Sequence, residues 1–183
     1  MEIASAIFGL IQGILILMKR KENWIFYILN ILTLIVYSAS VHLYGDVIEN
    51  SIYLLIGIFG IFAWSSSFAE KFGTVNIRHS TWKENIVFLF LTIFISTIIW
   101  IFVSSTNDPL PVLDAITTGM GFIATYMMAA KIIEAWIVWF INDILMVITY
   151  EFLPDPGHFL AALNLIWIFM AIGSYISWRR EIK

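Results

Sequence analysis

Glu134-Ala-Trp136-Ile-Val-Trp139-Phe-Ile-Asn142-Asp143 sets two indoles, an amide and a carboxylate within an apolar segment that is long enough to span a bilayer. On an α-helix these side chains form one polar and aromatic stripe, because intervals of three and four residues return to the same face. An ionisable side chain in hydrocarbon costs about 2.5–3.5 kcal/mol on insertion scales, so it normally faces a bundle interior or a wet cavity. Asp143 therefore marks a candidate pathway for a substrate or an ion through the membrane.

The members of this stripe also have structural interpretations. Trp136 lies near Lys131 and fits an aromatic belt at the membrane surface, whereas Trp139 does not. Asn142 is equally compatible with a hydrogen bond to a neighbouring helix. No Lys or Arg lies within an apolar segment to pair with Asp143, which favours a functional role for this carboxylate.

The composition is that of an integral membrane protein. Apolar residues make up 61% of the chain and charged residues 13%, and the mean hydropathy is +0.91. The absence of cysteine excludes disulfides and thiolate metal sites. The amino terminus enters an apolar run without a basic leader, so we expect a mature helix there rather than a removed signal. Residues 1–183 are predicted to form a single transmembrane domain.

Seven apolar runs follow one another along the chain, and each is close to the length that crosses the hydrocarbon layer. They cover residues 3–18, 24–44, 47–68, 85–103, 110–130, 132–152 and 158–178, with a turn at Gly45-Asp46 and another at Pro154-Asp155-Pro156-Gly157. Backbone groups in lipid must be satisfied within the segment, so these runs are predicted to be helices. The fold class is an all-α membrane protein with seven spans.

The basic residues orient these spans. With the amino terminus outside, every Lys and Arg falls on the cytoplasmic side, namely Lys19, Arg20, Lys21, Lys71, Arg78, Lys83, Lys131, Arg179, Arg180 and Lys183. The opposite side carries no Lys or Arg but six acidic residues, namely Glu2, Asp46, Glu49, Asp108, Glu151 and Asp155. We therefore expect a multi-pass protein of a bacterial inner membrane, with a cytoplasmic carboxyl terminus.

The chain contains an internal repeat. When the sequence is aligned with itself, Gly9 pairs with Gly121, Glu22 with Glu134, Trp24 with Trp136, Tyr27 with Trp139 and Asn30 with Asn142. After a two-residue insertion near residue 154, Asn50 pairs with Asn164, Tyr53 with Trp167 and Trp64 with Trp178. Residues 2–68 thus repeat as 109–178, and 85–103 form an unpaired connecting helix. This 3+1+3 order makes the repeats parallel, related by an axis along the membrane normal. Substrate sites of repeat-built carriers lie between the repeats, near the midplane.

These features select the candidate substrate-binding residues. They are Trp136, Trp139, Asn142 and Asp143 on helix six, Tyr27 and Asn30 on helix two, Asn50 on helix three and Asn164 and Trp167 on helix seven; Gln12 is a weaker candidate, and Thr117 and Thr118 are weaker still. The aromatic rings are expected to stack on a heterocycle, while the amides bind its polar edge and any ribose. Gly9, Gly121, Trp64 and Trp178 are expected to serve packing and interfaces. No metal, cofactor or nucleic acid is implied.

The chain resembles the PnuC family of bacterial vitamin transporters, whose founding type carries nicotinamide riboside. The resemblance lies in the 3+1+3 layout and in the stretches from Glu22-Asn23-Trp24 to Asn30, Leu43-Tyr44, Gly60 to Trp64 and Glu134 to Asp143. It implies a SWEET-like fold, a vitamin in a central aromatic and amide-lined cavity, facilitated diffusion, and retention of the substrate by a cytoplasmic kinase. Likeness to SWEET proteins suggests a homotrimer. The chain departs from the pattern at Asp143, where an amide is expected, and at Gly57, where an Asn is typical.

Other functions stay open at this point. Relatives carry thiamine, riboflavin or deoxynucleosides, and Asp143 favours a cationic substrate such as thiamine or allows proton coupling. A seven-span receptor is a different class, but no Lys lies within residues 158–178 to bind retinal. An enzyme is not expected, because the histidines lack the H-E-x-x-H spacing and Asp114 lies too far towards the outer end to share a proton with Asp143. Asp114 and Glu2 are expected to cap outer helix starts.

Overall fold

The computed structural model describes residues 2–40, 42, 44–65, 77–153 and 157–182. Within these ranges the chain forms seven α-helices, which are α1 (Glu2–Leu17), α2 (Asn23–Ser40), α3 (Tyr44–Trp64), α4 (Trp82–Val103), α5 (Pro111–Ala129), α6 (Ala135–Glu151) and α7 (His158–Arg179). The all-helical architecture agrees with the prediction from the apolar runs. Five helices, α2, α3, α4, α5 and α7, are long and apolar enough to cross a membrane, whereas α1 and α6 are shorter, with 16 and 17 residues.

Six helices form a closed ring. Contacts run from α1 to α2, α3, α5, α6 and α7 in turn, and α7 packs back on α1. Helix α4 stands outside this ring and packs on α5, where Gly119 leaves room for the buried Ser96 side chain. Only 6% of the apolar window of α4 is buried, so most of that helix is available to lipid. The ring places the core around a central space.

Local sequence signals explain several helix ends. Thr81 accepts a hydrogen bond from the Glu84 backbone while the Glu84 carboxylate accepts one from Thr81, which is a capping box at the start of α4. Pro111 occupies the first turn of α5, where its missing N–H costs nothing. Lys19 and Lys131 follow α1 and α5 with φ of 59° and 56°, the left-handed conformation that commonly ends a helix.

Four predicted boundaries were wrong. Helix α2 ends at Ser40 rather than at residue 44, and the predicted turn at Gly45-Asp46 lies inside the first turn of α3. The chain instead reverses near His42, whose φ is 65°. A glycine is tolerated in a first helical turn because its cost of about 1 kcal/mol relative to Ala applies to helix interiors.

The other two boundary errors concern α4 and α6. Helix α4 begins at Trp82 rather than at residue 85, because of its capping box. Helix α6 begins at Ala135 rather than at residue 132, because Ile133 and Lys131 exchange backbone hydrogen bonds with Arg78. The predicted end of helix three at residue 68 and the turn residues 154–156 lie outside the described residues.

Charge separates the two ends of the ring. Lys19, after α1, donates to Glu181 over 2.6 Å, and Arg78, before α4, donates through its backbone to Lys131 after α5. We call this the basic end. Asp46 in α3 and Asp114 in α5 lie in the first turns of their helices at the opposite end, which we call the acidic end. Both α1 and α5 therefore run towards the basic end.

Candidate functional site

A cavity of about 490 Å³ lies inside the ring of helices. This volume is in the range of small-molecule sites. Every candidate chosen from the sequence lines it, namely Gln12, Tyr27, Asn30, Asn50, Trp136, Trp139, Asn142, Asp143, Asn164 and Trp167, together with Thr117 and Thr118. The structure thus brings these residues from six helices into one place.

Helix α6 supplies the densest set of polar and aromatic groups. Trp136, Asn142 and Asp143 retain only 6%, 5% and 5% of their accessible surface, and Trp139 is half-buried. None of the ion pairs among the described residues includes Asp143. The stripe read from the sequence therefore faces the cavity, and its carboxylate has no basic partner there.

The four cavity asparagines are engaged differently. Asn50 donates to the Asp46 carbonyl over 2.8 Å, and Asn164 donates to the Leu160 carbonyl over 2.9 Å. Each of these bonds stays within one helix. Among the described residues, Oδ1 of the buried Asn142 has no hydrogen-bond partner. A buried acceptor in this state is costly unless a ligand satisfies it.

Gly57 explains the position of Tyr27. A Cβ at residue 57 would come within 2.8 Å of the Tyr27 ring, so the absence of a side chain on α3 lets this ring pack closely. Gly60 makes room for Trp24 one turn further along α3 in the same way. The departure from the family pattern at residue 57 thus has a steric role in this chain, because the tyrosine ring occupies the space that an Asn would need.

Four indoles close the basic end of the cavity, and we call them the tryptophan layer (Trp24, Trp64, Trp136 and Trp178). Trp24 meets Trp64 at 6.1 Å and 71°, while their repeat partners Trp136 and Trp178 meet at 5.2 Å and 86°. Trp136 faces the cavity, whereas Trp64 lines a separate basic vestibule on the other side of the layer. Lys131 lies over the Trp64 ring, with Nζ 5.0 Å from its centroid. The layer therefore separates the cavity from the basic end.

The structure adds residues that the sequence analysis did not select. Asp46, Glu49 and Asp114 line the cavity towards the acidic end, and Tyr53 and Thr125 also contribute to its wall. Tyr53 had a usable signal, since it is the repeat partner of the selected Trp167. Asp114 was expected to cap a helix, but it lies within the first turn of α5, whose start has no side-chain capping hydrogen bond, and it lines the cavity.

The charge of the cavity is one-sided. Four carboxylates line it, Asp46, Glu49, Asp114 and Asp143, and no Lys or Arg is among its described lining residues. Within the described part of the chain, no group of three or more His, Cys, Asp or Glu side chains is arranged to hold a metal ion. Aromatic faces, amides and uncompensated carboxylates together can hold a flat, positively charged molecule.

Known proteins place this architecture in a family. No curated protein matches the chain. A solved structure described as the crystal structure of the vitamin B3 transporter PnuC shares the fold, with a TM-score of 0.75 at 16% identity, over 98% of this chain and 80% of that one. The family model described as nicotinamide mononucleotide transporter matches residues 1–180, and the chain therefore belongs to that family of membrane transporters.

Proposed function

We propose that the protein carries a small cationic aromatic vitamin, nicotinamide riboside first, across the bacterial inner membrane through the ring cavity. The observation that carries this proposal is the combination of Trp136 and Trp139 with four carboxylates in a cavity whose described lining residues include no Lys or Arg. A cationic ring over an indole gains about 0.5–2 kcal/mol. The pyridinium ring of nicotinamide riboside has the flat shape and the positive charge that such a cavity attracts.

The same charges argue against a phosphorylated substrate. The family description names a mononucleotide, but a phosphate monoester carries close to two negative charges at neutral pH. Sites that hold phosphate usually supply Arg, Lys or helix amino termini. A cavity lined by Asp46, Glu49, Asp114 and Asp143 would repel that group. We therefore assign the nucleoside, not the nucleotide, as the transported species.

The contacts of the ring support seven spans in two parallel repeats. Helix α3 packs on α5, and α7 packs on α1. These two contacts exchange when the first triplet, α1–α3, is rotated onto the second, α5–α7. Both triplets begin at the acidic end, as Asp46 and Asp114 indicate for α3 and α5 and Lys19 and Lys131 for α1 and α5. The positive-inside rule assigns the basic end to the cytoplasm and the amino terminus to the outside.

Transport then requires alternating exposure of one site. The cavity extends to Asp46 and Glu49 at the acidic end, whereas the tryptophan layer closes its basic end. To open towards the cytoplasm, the α3–α5 and α7–α1 contacts must separate at the tryptophan layer. At the same time the cavity walls at the acidic end must approach each other. The proposed cycle uses no energy source, so the carrier equilibrates its substrate across the membrane. Accumulation follows when a cytoplasmic kinase phosphorylates the vitamin, because the product no longer fits the negative cavity.

Thiamine is the second candidate. Asn142 and Asp143 are both buried and both line the cavity, so an amide and a carboxylate are available to one ligand. An aminopyrimidine presents adjacent hydrogen-bond donors and acceptors that match such a pair. Thiamine also carries the positive ring charge that the cavity favours.

Uptake into proteoliposomes tests the proposal. Purified protein should equilibrate labelled nicotinamide riboside across the vesicle membrane at the same rate with and without a proton gradient. A nucleoside kinase and ATP inside the vesicles should convert equilibration into accumulation. Nicotinamide mononucleotide should not enter. Acceleration by an inward proton gradient would replace facilitated diffusion with proton coupling, and failure to take up any cationic vitamin would refute the assignment.

A further inference from the structure

The two repeat-related amides on α2 and α6 are in different states. Ser5 of α1 donates its hydroxyl to Oδ1 of Asn30 over 2.5 Å. Asn142, the repeat partner of Asn30, has an Oδ1 without a partner among the described residues, although only 5% of its surface is accessible. One carbonyl of this pair is therefore satisfied by the protein, and the other is not.

The difference originates in the helix that packs beside each amide. In the register that aligns Gly9 with Gly121, Ser5 of α1 corresponds to Thr117 of α5. The Thr117 hydroxyl donates within its own helix, to the carbonyls of Leu113 and Asp114 over 2.9 and 3.0 Å. Such back-bonding is a common choice for a helical Thr. Thr117 is therefore not available to Asn142 as a donor.

The other two cavity asparagines do not show this asymmetry. Asn50 and Asn164 are also repeat partners, and each donates its amino group to the carbonyl four residues earlier in its own helix. The repeats thus match at one pair of amides and differ at the other. This contrast makes the Ser5 bond a specific feature of the first repeat.

We propose that Ser5 is a specificity-determining residue: it keeps Asn30 as part of the cavity wall, so the ligand's heterocycle directs its N–H donor to Asn142 alone. This inference rests on the proposed function and specifies how the ligand is oriented. Trp139 and Asn142 lie three residues apart on one face of α6, so a ring stacked on this indole presents its edge to the amide. The carboxamide of nicotinamide riboside and the amino group of thiamine both supply such a donor.

Two ligands that differ in the N–H donor measure what this donor contributes to binding. The riboside of methyl nicotinate keeps the cationic ring and the carbonyl of nicotinamide riboside but lacks the N–H groups. Wild-type protein should bind the carboxamide about tenfold more tightly than the ester, which is the typical value of one buried hydrogen bond. Thiamine and its des-amino analogue give the same comparison for the second candidate. Binding of either parent vitamin reports on the proposed function, and the ratio within each pair reports on the orientation.

Four variants then test the role of Ser5. Asn142→Ala should reduce the ratio to about one, whereas Asn30→Ala should leave it unchanged even if both ligands bind less tightly. Adding Ser5→Ala to Asn142→Ala should restore a ratio of about threefold, because the freed Asn30 carbonyl can accept the donor. The matched control adds Ser51→Ala instead, since this exposed hydroxyl bonds only within α3. A ratio that collapses in Asn30→Ala, survives in Asn142→Ala or is not restored by Ser5→Ala overturns the proposal.

Discussion

Trp64 and Trp178 lie in contact at the basic end, with ring centroids 5.8 Å apart, and each donates its indole N–H to the opposite repeat. Trp64 of α3 donates to the Ala129 carbonyl at the end of α5 over 3.0 Å. Trp178 of α7 donates to the Ile16 carbonyl near the end of α1 over 3.3 Å. These reciprocal bonds tie the two triplets together on the side that opens towards the cytoplasm in the proposed transport cycle.

The first prediction concerns this closure. Trp178→Phe keeps an aromatic ring but removes the donor to Ile16, which weakens the closed state by about 1 kcal/mol. The chain contains no cysteine, so Ser174→Cys introduces a single thiol into the buried cavity wall. Its alkylation by a membrane-impermeant maleimide from the basic side should become about fivefold faster with Trp178→Phe. Trp82→Phe is the control, because Trp82 is 69% exposed outside the ring. Equal alkylation rates with and without Trp178→Phe would show that the tryptophan layer does not control access to the cavity.

A second prediction separates the binding wall from the closure. Trp139→Ala should weaken binding of nicotinamide riboside about tenfold, because the substrate loses a cation–π contact. Asn142→Ala should have a comparable effect through its unpartnered carbonyl. Trp64→Ala and Trp178→Ala should change the dissociation constant much less, although they lower the melting temperature. Equal losses of affinity in both groups would refute the site assignment.

The third prediction addresses charge selectivity. At an effective dielectric constant of about 20, an ionised carboxylate in the cavity wall attracts a bound cation by an energy on the order of 2 kcal/mol. Asp143→Asn should therefore weaken binding of a cationic vitamin by about thirtyfold and leave a neutral nucleoside unaffected. Asp108→Asn is the control, since Asp108 lies in the loop before α5 and outside the cavity lining. Isothermal titration with both ligands measures the difference, and an unchanged preference for the cation would show that Asp143 does not supply it.

The fourth prediction concerns the loop that precedes α4. Burial raises the pKa of the Glu134 carboxyl, but hydrogen bonds from His79 and Ser80 outweigh it and hold the pKa below its ordinary value of 4.5. A lowered pKa stabilises the fold above pH 4.5, and that contribution disappears as the pH falls through the lower, folded-state value. The melting temperature in detergent should therefore drop below pH 4.5.

With Glu134→Gln, the melting temperature should decrease less steeply below pH 4.5. Its repeat partner Glu22 provides the comparison, because Glu22 pairs with the exposed Arg20 and solvent screens that bond. Glu22→Gln should change the dependence of the melting temperature on pH below 4.5 less than Glu134→Gln does. Identical curves for the two variants would exclude a stabilising contact between Glu134 and the 79–80 segment.

The sequence predicted the helices well because long apolar runs have few alternatives in a membrane. Boundaries failed where tertiary contacts decide them. The backbone pairing of Arg78 with residues 131 and 133 delays the start of α6, and no periodicity within residues 132–134 reveals that pairing. The capping box at Thr81 was readable as a Thr-x-x-Glu pattern and would have corrected the start of α4.

The cavity residues were accessible to sequence reasoning because two independent patterns coincided. The stripe on α6 and the internal repeat both selected Asn142, and the repeat added Asn30, Asn50 and Asn164. Glu49 was missed because its alignment partner in the second repeat is not acidic. The engagement of Asn30 by Ser5 was not predictable, since a helical Ser can donate either to its own backbone or to a neighbouring helix.

Binding of a cationic aromatic vitamin is the central claim, and quenching of intrinsic tryptophan fluorescence measures it directly. Purified protein should be titrated with nicotinamide riboside, thiamine, riboflavin, a deoxynucleoside and nicotinamide mononucleotide. We predict saturable quenching by nicotinamide riboside, or by thiamine as the second candidate, which Trp139→Phe reduces, and no response to the mononucleotide. Saturable binding of the mononucleotide, or of neutral ligands in preference to both cationic vitamins, would contradict the account.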